Sequence, residues 1–439
     1  MTSMKSASDT PQPLGGAATK AEFPMWARGL VAALALYLFI AAVKMIGGGL
    51  KVIAHEPAGD EFLHWLFGLV HDPFTGLVVG ILITALVQSS SFTTLMIVTF
   101  VSTGALSLPD AIPIIMGANI GTSITGLLVS LGRLKHRDEF RRSLSAASCH
   151  DFFNLMSVAM FFPLELKFGV ISKPVMWISS RLGDTKLFAA KPTDHISFIK
   201  VFLEAPATFI KTVLTKWMPS WSWLPDWLKP SEITSGAIMA VFAMVLLFVA
   251  LAFLVKMLRG LVQGKLSAVF SKTLFYNGAT AFVVGILMTV SVQSSSVTTS
   301  LIVPLVGAEV LTLTQVFPYL LGANIGTTVT ALLAALALGS APAVACACGH
   351  LLFNLYGTGV FWPLKALPLG VARWFGEVAA RRRYLAVVYI LTLFFVIPGS
   401  ILGIMKYTGR LKTAPPRETT IIDDGATDAS PEATDAMTE

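Results

Sequence analysis

The sequence predicts an all-α, polytopic transmembrane protein with two inverted repeats that contain broken, re-entrant helices. Three observations predict this fold class. Of 439 residues, 54% are hydrophobic and 13% are charged, and the charged share is about half that of a soluble domain. Several polar boxes occur twice along the chain, and Lys and Arg are distributed unequally between the two copies.

Long apolar windows indicate helices that cross a bilayer. A hydrocarbon core about 30 Å thick needs roughly 20 apolar residues in a helix, and the mean hydropathy of the chain is +0.73. Strand-like alternation is absent, so these windows are predicted to be helical. They run from Trp26 to Gly47, Ser143 to Phe168, Ala237 to Val255, Ala347 to Leu369 and Tyr384 to Met405.

Three polar boxes occur twice in the same order. VVGILITALVQSSS is matched by VVGILMTVSVQSSS, and GANIGTSITGLL from Gly117 is matched by GANIGTTVTALL from Gly322, at an offset of 205 residues (322 − 117). HDFFNLMSVAMFFPL from His150 is matched by HLLFNLYGTGVFWPL from His350, at an offset of 200 (350 − 150). The chain is therefore predicted to contain two copies of one unit.

The charges predict that the two copies are inverted relative to each other. Between its second and third boxes the first copy carries five basic residues, Arg133, Lys135, Arg137, Arg141 and Arg142, whereas the equivalent stretch LGSAPAVACACGH carries none. By the positive-inside rule, the first stretch faces the cytoplasm and the second does not. In many secondary transporters, inverted repeats place a binding site near the membrane midplane between them.

The duplication also sets the predicted boundaries. Residues 1–25 are polar and rich in Pro, Gly and Ser, and are predicted to be disordered, with no cleaved signal peptide. A first transmembrane repeat with its QSSS box follows over 26–170, then a Trp-rich extramembrane loop over 171–232. The second repeat, with its QSSS box and a final helix, occupies 233–408, and 409–439 form a disordered acidic tail.

Charge and cysteine content limit the classes of partner and ligand that the sequence predicts. The net charge of +7 lies in loops, where the positive-inside rule explains it better than binding to a nucleic acid does. The lipid bilayer is therefore the predicted surrounding. Cys149, Cys346 and Cys348 all lie in apolar segments, so neither a disulfide framework nor a cysteine metal site is predicted.

The duplicated boxes have the composition of a binding site built on broken helices. Ser-Ser-Ser-x-Thr-Thr is poor helix sequence, and its hydroxyls can bond to nearby backbone or to an ion. The two glycines of each GANIGT box could permit an unwound turn. Half-helix N-termini offer N–H groups to an oxyanion, and amide, hydroxyl and carbonyl oxygens suit a small cation. Small polar residues also line helix interfaces without binding anything, but duplication of three boxes in order favours binding.

Asp151 is an acid within an apolar segment, and such a residue is a functional candidate by default. Its counterpart in the second copy is Leu351. The alternative is a structural contact with the Arg141–Arg142 region. His150 and His350 are expected to be packed and hydrogen-bonded rather than to bind a ligand.

These residues resemble the type II sodium-dependent phosphate cotransporters of animals and bacteria. The resemblance is carried by QSSS twice, by IPIIMGANIGTSIT, by EFRRSLSAASCHDFFN and by AVVYILTLFFVIPGSILG, and it covers most of residues 27–408. It implies sodium-driven uptake of inorganic phosphate by alternating access, with phosphate between the two QSSS regions. It also implies that the chain is not an enzyme and needs no cofactor, sodium being a co-transported ligand.

The resemblance and the duplication together give candidate ligands. The candidates for phosphate are Ser89, Ser90, Ser91, Asn119, Ser295, Ser296 and Asn324. The resemblance places one sodium site on Gln293, Ser294, Ser295, Thr327 and Thr330, and a further sodium on Asp151 with Asn154 nearby. Gln88 and Thr122 are the sodium candidates of the first copy.

Two features depart from the animal members of that family. Their connecting loop is cysteine-bridged and glycosylated, whereas residues 173–230 contain no Cys and no N-x-S/T sequon, which favours a bacterial inner-membrane protein. The tryptophans of this loop, Trp217, Trp221, Trp223 and Trp227, suggest interfacial helices. A single crossing over Tyr384–Met405 would put the tail outside, whereas the resemblance implies that it lies inside; Pro398-Gly399 could break that helix.

Other functions stay open on the residues alone. Another oxyanion such as sulfate is the nearest alternative, because tetrahedral shape and N–H donors do not distinguish sulfate from phosphate. An intramembrane hydrolase using a QSSS serine with His150 and Asp151 is weaker, since adjacent residues on a helix point about 100° apart. The duplicated boxes argue against a regulatory or scaffold protein.

Overall fold

The computed structural model describes residues 25–54, 56, 68, 70–185, 205–262, 275 and 277–408. Within these residues the secondary structure is helical and no strand occurs. Residues 1–24 and 409–439 of the two predicted disordered segments lie outside the described part. Four described helical segments are long and apolar enough to cross a membrane: Leu108–Leu131, Leu313–Leu338, Ala341–Phe361 and Tyr384–Tyr407. The predicted all-α, polytopic membrane fold is therefore confirmed.

The first repeat begins with a long helix, and two short helices then flank its QSSS box. These are α1 (Met25–Ala54), α2 (Pro73–Val87) and α3 (Ser90–Ser102). The GANIGT box and the segment after it form α4 (Leu108–Thr122) and α5 (Ile124–Leu131). The third box lies in α6 (Arg137–Phe168), which bends by 64° into α7 (Ser172–Gly183) and with it forms a fifth candidate crossing.

The second repeat has the same order of helices. After α8 (205–220), it comprises α9 (Glu232–Val262), α10 (Gly278–Val292), α11 (Ser295–Gly307), α12 (Leu313–Leu338) and α13 (Ala341–Phe361). The last two helices are α14 (Ala366–Arg381) and α15 (Tyr384–Tyr407).

Each QSSS box breaks a helix at the same residue. Gln88 and Gln293 have positive φ angles of 54° and 55°, which end α2 and α10 in the left-handed region. The next residues, Ser89 and Ser294, are extended, and they begin α3 and α11 as N-caps. A left-handed conformation costs a non-glycine residue roughly 1–2 kcal/mol, so the surrounding packing must hold it in place. The predicted helix breaks are confirmed.

The chain reverses direction at the first break. Thr84 and Thr93 lie nine positions apart, which is about 13.5 Å along a continuous helix, yet their hydroxyl oxygens are 3.1 Å apart. Helix α2 has 15 residues, so it is about 22 Å long, shorter than a hydrocarbon core of about 30 Å. The pair α2–α3 is therefore a re-entrant hairpin.

Glycines let each hairpin contact the GANIGT helix of its own repeat. A Cβ added to Gly117 would lie 1.9 Å from the carbonyl oxygen of Leu77, and one added to Gly322 would lie 2.0 Å from that of Phe282. The backbones of α2 and α4, and of α10 and α12, are thus in direct contact. Such close approach is the usual role of small residues between membrane helices.

The interpretation of the GANIGT glycines as an unwound turn is wrong. Gly117–Thr122 lies within α4, and Gly322–Thr327 lies within the unbroken α12. The glycines instead allow close contact between helices, and this role needs no change in backbone conformation. The interruption in the first copy falls one residue later, at Ser123 between α4 and α5.

The first helices of the two repeats run in opposite directions. Gly48 on α1 approaches Met239 on α9, whereas Ile53, further along α1, approaches Gly236, which is earlier in α9. The residue number therefore rises along one helix as it falls along the other. Because α1 and α9 occupy equivalent places in the two copies, this antiparallel contact confirms that the repeats are inverted.

The observed helices differ from the predicted membrane crossings in two details. Leu108–Leu131 and Leu313–Leu338 were not among the predicted windows, because their polar residues interrupt the apolar pattern. Pro398-Gly399, which could have broken the last helix, does not do so, since α15 continues to Tyr407. A π-helical turn over Thr392–Val396 comes directly before Pro398. Its i→i+5 hydrogen bonding accommodates a residue that has no N–H to donate.

Candidate functional site

The two helix breaks meet in the interior of the protein. The hydroxyl oxygens of the equivalent residues Ser90 and Ser295 are 3.4 Å apart, and the Ser91 hydroxyl donates to the carbonyl oxygen of Gln293 at 3.3 Å. All of these residues are buried, as is Ser296. The first turns of α3 and α11 therefore face each other across the boundary between the repeats.

The converging helix ends favour an anion. The first N–H groups of a helix have no partner within it, and its N-terminus carries a partial positive charge. Neither α3 nor α11 has an acidic residue in its first turn. The positive ends are therefore not neutralised by their own helices, which is the electrostatic arrangement of an oxyanion site.

The first serine of each box has a structural task. The Ser89 hydroxyl accepts from the N–H of Phe92, and the Ser294 hydroxyl accepts from that of Val297, each at 3.3 Å. These bonds cap α3 and α11. Of the predicted phosphate serines, Ser90, Ser91, Ser295 and Ser296 lie one or two residues past the caps, in the first turns of the two helices.

The structure joins two of the predicted sodium ligands in the second repeat. The Thr330 hydroxyl donates to Oε1 of Gln293 at 2.7 Å, and Nε2 of Gln293 donates to the carbonyl oxygen of Val290 at 2.6 Å. The first repeat differs: Gln88 is exposed, and the buried hydroxyl of Thr125, the counterpart of Thr330, has no hydrogen-bond partner among the described residues.

Three further candidates bond to their own helices. The hydroxyls of Thr122 and Thr327 donate to the carbonyl oxygens four residues earlier, at 2.8 Å and 3.0 Å. The Asn119 side-chain amide does the same, at 2.9 Å from the Ile115 carbonyl oxygen. A hydroxyl that donates once keeps acceptor lone pairs, so these bonds leave oxygen available to a cation.

A chain of hydrogen bonds crosses between the repeats. His150 Nε2 donates to Oδ1 of Asn324 at 2.7 Å, and the Asn324 amide donates to Oδ1 of Asn154 at 2.8 Å. Asn154 in turn donates to the carbonyl oxygen of Asn119 at 2.9 Å. His150 is thus packed and hydrogen-bonded, as predicted. In contrast, Nδ1 of His350 has no hydrogen-bond partner within the described part of the chain.

Asp151 is buried and makes a hydrogen bond that the sequence did not predict. The Tyr389 hydroxyl, on α15, donates to its Oδ2. The other carboxylate oxygen, Oδ1, has no hydrogen-bond partner among the described residues. A tyrosine in the apolar segment AVVYILTLFF was the only signal in the sequence that could have identified this partner.

The alternative contact between Asp151 and the basic region is not formed. Arg142 pairs with Glu309 at 2.8 Å and donates to the Gly307 carbonyl oxygen at 2.8 Å. Arg141 lies 3.9 Å from Asp138 and 4.0 Å from Glu377. The two arginines are therefore directed toward carboxylates outside the apolar core, and the interpretation of Asp151 as their structural partner is wrong.

The candidate cation ligands are mostly neutral oxygens. No group of three or more His, Cys, Asp or Glu residues that could hold a metal ion occurs in the described ranges. Asp151 is the one carboxylate among the sodium candidates, and the others offer amide and hydroxyl oxygens. Such a set suits a weakly bound monovalent cation better than a tightly held transition metal.

The fold and the site together define a polytopic membrane protein of inverted repeats whose two broken helices meet at their polar breaks. The chain belongs to the Na+/Pi-cotransporter family. The family model matches residues 38–177 and 246–366, which is more than half of the chain. This match confirms the family resemblance carried by the duplicated boxes.

Curated relatives agree with the family match. The chain is similar to sodium-dependent phosphate transport protein 2A of Rattus norvegicus, at 34% identity over 431 residues, and to protein 2B of Homo sapiens, at 32% over 445 residues. Each match covers 84% of this chain, and the chain spans 66% and 64% of the length of these two relatives. No solved structure matches the chain.

Proposed function

We propose that this chain is a secondary transporter that imports inorganic phosphate together with sodium by alternating access. Family membership and the printed names of the relatives support the two substrates. The observation that carries the proposal is the contact between Ser90 and Ser295. Two equivalent helix N-termini of inverted repeats meet there, and a ligand bound beside them would be contacted by both halves.

Phosphate fits the chemistry of this meeting point. N–H groups and hydroxyls at the N-termini of α3 and α11 would bind its oxygens. Gln293 and Thr330, with the serines beside them and Thr327, offer neutral oxygens to a sodium ion close by. Rocking of one repeat against the other would then expose the same site to each side of the membrane in turn.

The hydrogen bonds disfavour the hydrolase alternative. A Ser-His-Asp triad needs His to bond both the serine and the acid. His150 bonds to Asn324, and Asp151 bonds to Tyr389. Nothing in the comparisons favours sulfate over phosphate, so sulfate enters only as a competitor to be tested. We infer that the chain acts as a multi-pass protein of a bacterial inner membrane.

Uptake into proteoliposomes tests the function. With radiolabelled phosphate, an inward sodium gradient should drive accumulation, whereas choline in place of sodium should abolish it. A tenfold excess of unlabelled phosphate should compete fully, and the same excess of sulfate should not. Equal competition by sulfate would contradict the substrate, and equal uptake in choline would contradict the coupling.

Two serine variants locate the site. Ser90→Ala and Ser295→Ala should each raise the phosphate concentration for half-maximal uptake, and their effects should be non-additive because both groups face one ligand. Ser130→Ala is the matched control, because its buried hydroxyl bonds only to its own helix, at the Leu127 carbonyl oxygen. Unchanged phosphate dependence in both site variants would place the substrate elsewhere.

A further inference from the structure

The Asp151 carboxylate accepts one close hydrogen bond, from Tyr389, and the Ser123 hydroxyl lies near it. The side chain is fully buried, and its Oδ2 accepts from the Tyr389 hydroxyl while its Oδ1 has no hydrogen-bond partner among the described residues. Within that part of the chain, no Lys, Arg or His lies within ion-pair distance of it. A buried carboxylate without a counter-charge is costly, so this oxygen is available to a cation.

Tyr389 is itself fixed by aromatic packing. Its ring lies 4.7 Å from the ring of Phe375 on α14 and 5.9 Å from that of Phe152 on α6, measured between centroids. These rings hold the phenol while its hydroxyl reaches the carboxylate. The Tyr389 side chain therefore has an apolar support that does not depend on the hydrogen bond.

We propose that Tyr389 is a positioning residue for a monovalent cation bound by Asp151, an inference that rests on the sodium-coupled function proposed above. The hydroxyl fixes the rotamer of the carboxylate and leaves Oδ1 directed at the cation. A hydrogen bond donated to a carboxylate also stabilises the ionised form, which is the form that attracts sodium. The final helix, α15, thereby takes part in a site whose acid lies on α6.

Sodium binding to the purified full chain tests this role without relying on transport. Sodium chloride should raise the melting temperature relative to choline chloride, because a ligand that binds the folded state stabilises it. Tyr389→Phe keeps the ring and removes the hydroxyl, and it should raise the half-saturating sodium concentration roughly tenfold or more, as loss of one hydrogen bond to a charged group predicts. An unchanged or lowered concentration would overturn the proposal.

Tyr356→Phe is the matched control. Its hydroxyl, at 3.5 Å from the Val170 carbonyl oxygen, makes no contact with Asp151, so sodium saturation should stay as in the wild type. If Tyr389→Phe does not fold, Phe375→Leu provides a second variant, because it loosens the support of the phenol and keeps the hydroxyl. It should shift sodium saturation in the same direction by a smaller factor, and no shift would contradict the positioning role.

A double variant separates action through Asp151 from a general effect on folding. In an Asp151→Asn background, Tyr389→Phe should cause no further change in sodium saturation, whereas an equal fold-change in both backgrounds would overturn the proposal. Uptake in the same preparations distinguishes the two levels. If the wild type takes up phosphate and Tyr389→Phe leaves sodium saturation unchanged, only the positioning role is refuted. If Tyr389→Phe shifts sodium saturation but the wild type takes up no phosphate, only the transported substrate is refuted.

Discussion

Gln88 and Gln293 show how two glutamines in the same VQSSS box acquire different environments. Both end a helix in the left-handed conformation, so the repeated box has the same backbone in both copies. Gln293 is buried and accepts from Thr330, whereas Gln88 is exposed. The side-chain environment is decided by the helices packed around each break, and these differ between the two repeats.

This difference predicts that the sodium site beside the QSSS breaks rests on the second repeat, at Gln293 and Thr330. Thr330→Val should raise the sodium concentration for half-maximal phosphate uptake by roughly fivefold, since it removes the donor that orients Oε1 of Gln293, a loss of about 1 kcal/mol. Thr125→Val is the matched control in the first repeat. Its hydroxyl is buried without a partner in the described part of the chain, so its removal should change sodium dependence little.

A double-mutant cycle between Gln293→Ala and Thr330→Val sharpens the same prediction. Residues that share one hydrogen bond are coupled by about 0.5–3 kcal/mol. The cycle is measured from the sodium dependence of uptake in the four proteins. Additive effects would mean that Gln293 and Thr330 act on sodium separately.

At the scale of elements, each repeat depends on backbone contact between its hairpin and its GANIGT helix. The contact is made from both helices: Gly80 on α2 approaches the Ile114 carbonyl oxygen, and Gly117 on α4 approaches that of Leu77. Because α2 is too short to cross a membrane alone, this contact supports the helix that ends at the break. The break at Gln88 therefore relies on glycines about 30 residues away in sequence.

Gly117→Ala should destabilise the protein strongly. The added Cβ would lie 1.9 Å from the Leu77 carbonyl oxygen, so α2 and α4 would have to separate, at a cost of about 1–3 kcal/mol or more. The measurement is the melting temperature of the purified protein, with the monodisperse fraction on gel filtration. Gly126→Ala is the control, because its nearest neighbour would be 3.7 Å away; equal melting temperatures for the two variants would contradict the close packing.

At the scale of the whole molecule, the two inverted repeats are alike in their breaks and unlike in their charges. Asp151 has Leu351 as its counterpart, and among the described residues His150 bonds to the other repeat whereas Nδ1 of His350 has no partner. We therefore expect the first repeat to be the half that accommodates an additional cation charge. For a divalent phosphate, two sodium ions give a neutral cycle and a third carries net charge.

Asp151→Asn should leave phosphate uptake active but remove its current. Moving one charge through the membrane potential is worth about 2.3 kcal/mol per 100 mV, so wild-type uptake should depend on voltage and that of the variant should not. The measurement is charge moved per phosphate in liposomes held at a set potential. The same charge per phosphate in both proteins would exclude Asp151 as the site of the extra ion.

Glu165→Gln supplies the control for that experiment. Glu165 is a second buried carboxylate on α6, but its oxygens accept from the N–H groups of Ile171 and Ser172 at the start of α7. The substitution should lower thermal stability, since it weakens hydrogen bonds to a charged group. Charge moved per phosphate should stay as in the wild type.

The sequence by itself determined the fold class, the duplication and the positions of the two helix breaks, because these follow from composition and from the repeated polar boxes. It also determined the inversion, through the distribution of Lys and Arg. Only the tertiary structure decided that the GANIGT glycines serve helix contact, that Gln293 pairs with Thr330, and that Tyr389 donates to Asp151. Each of these depends on distant segments brought within a few ångströms, for Asp151 across 238 residues of chain, and local sequence carries no information on that distance.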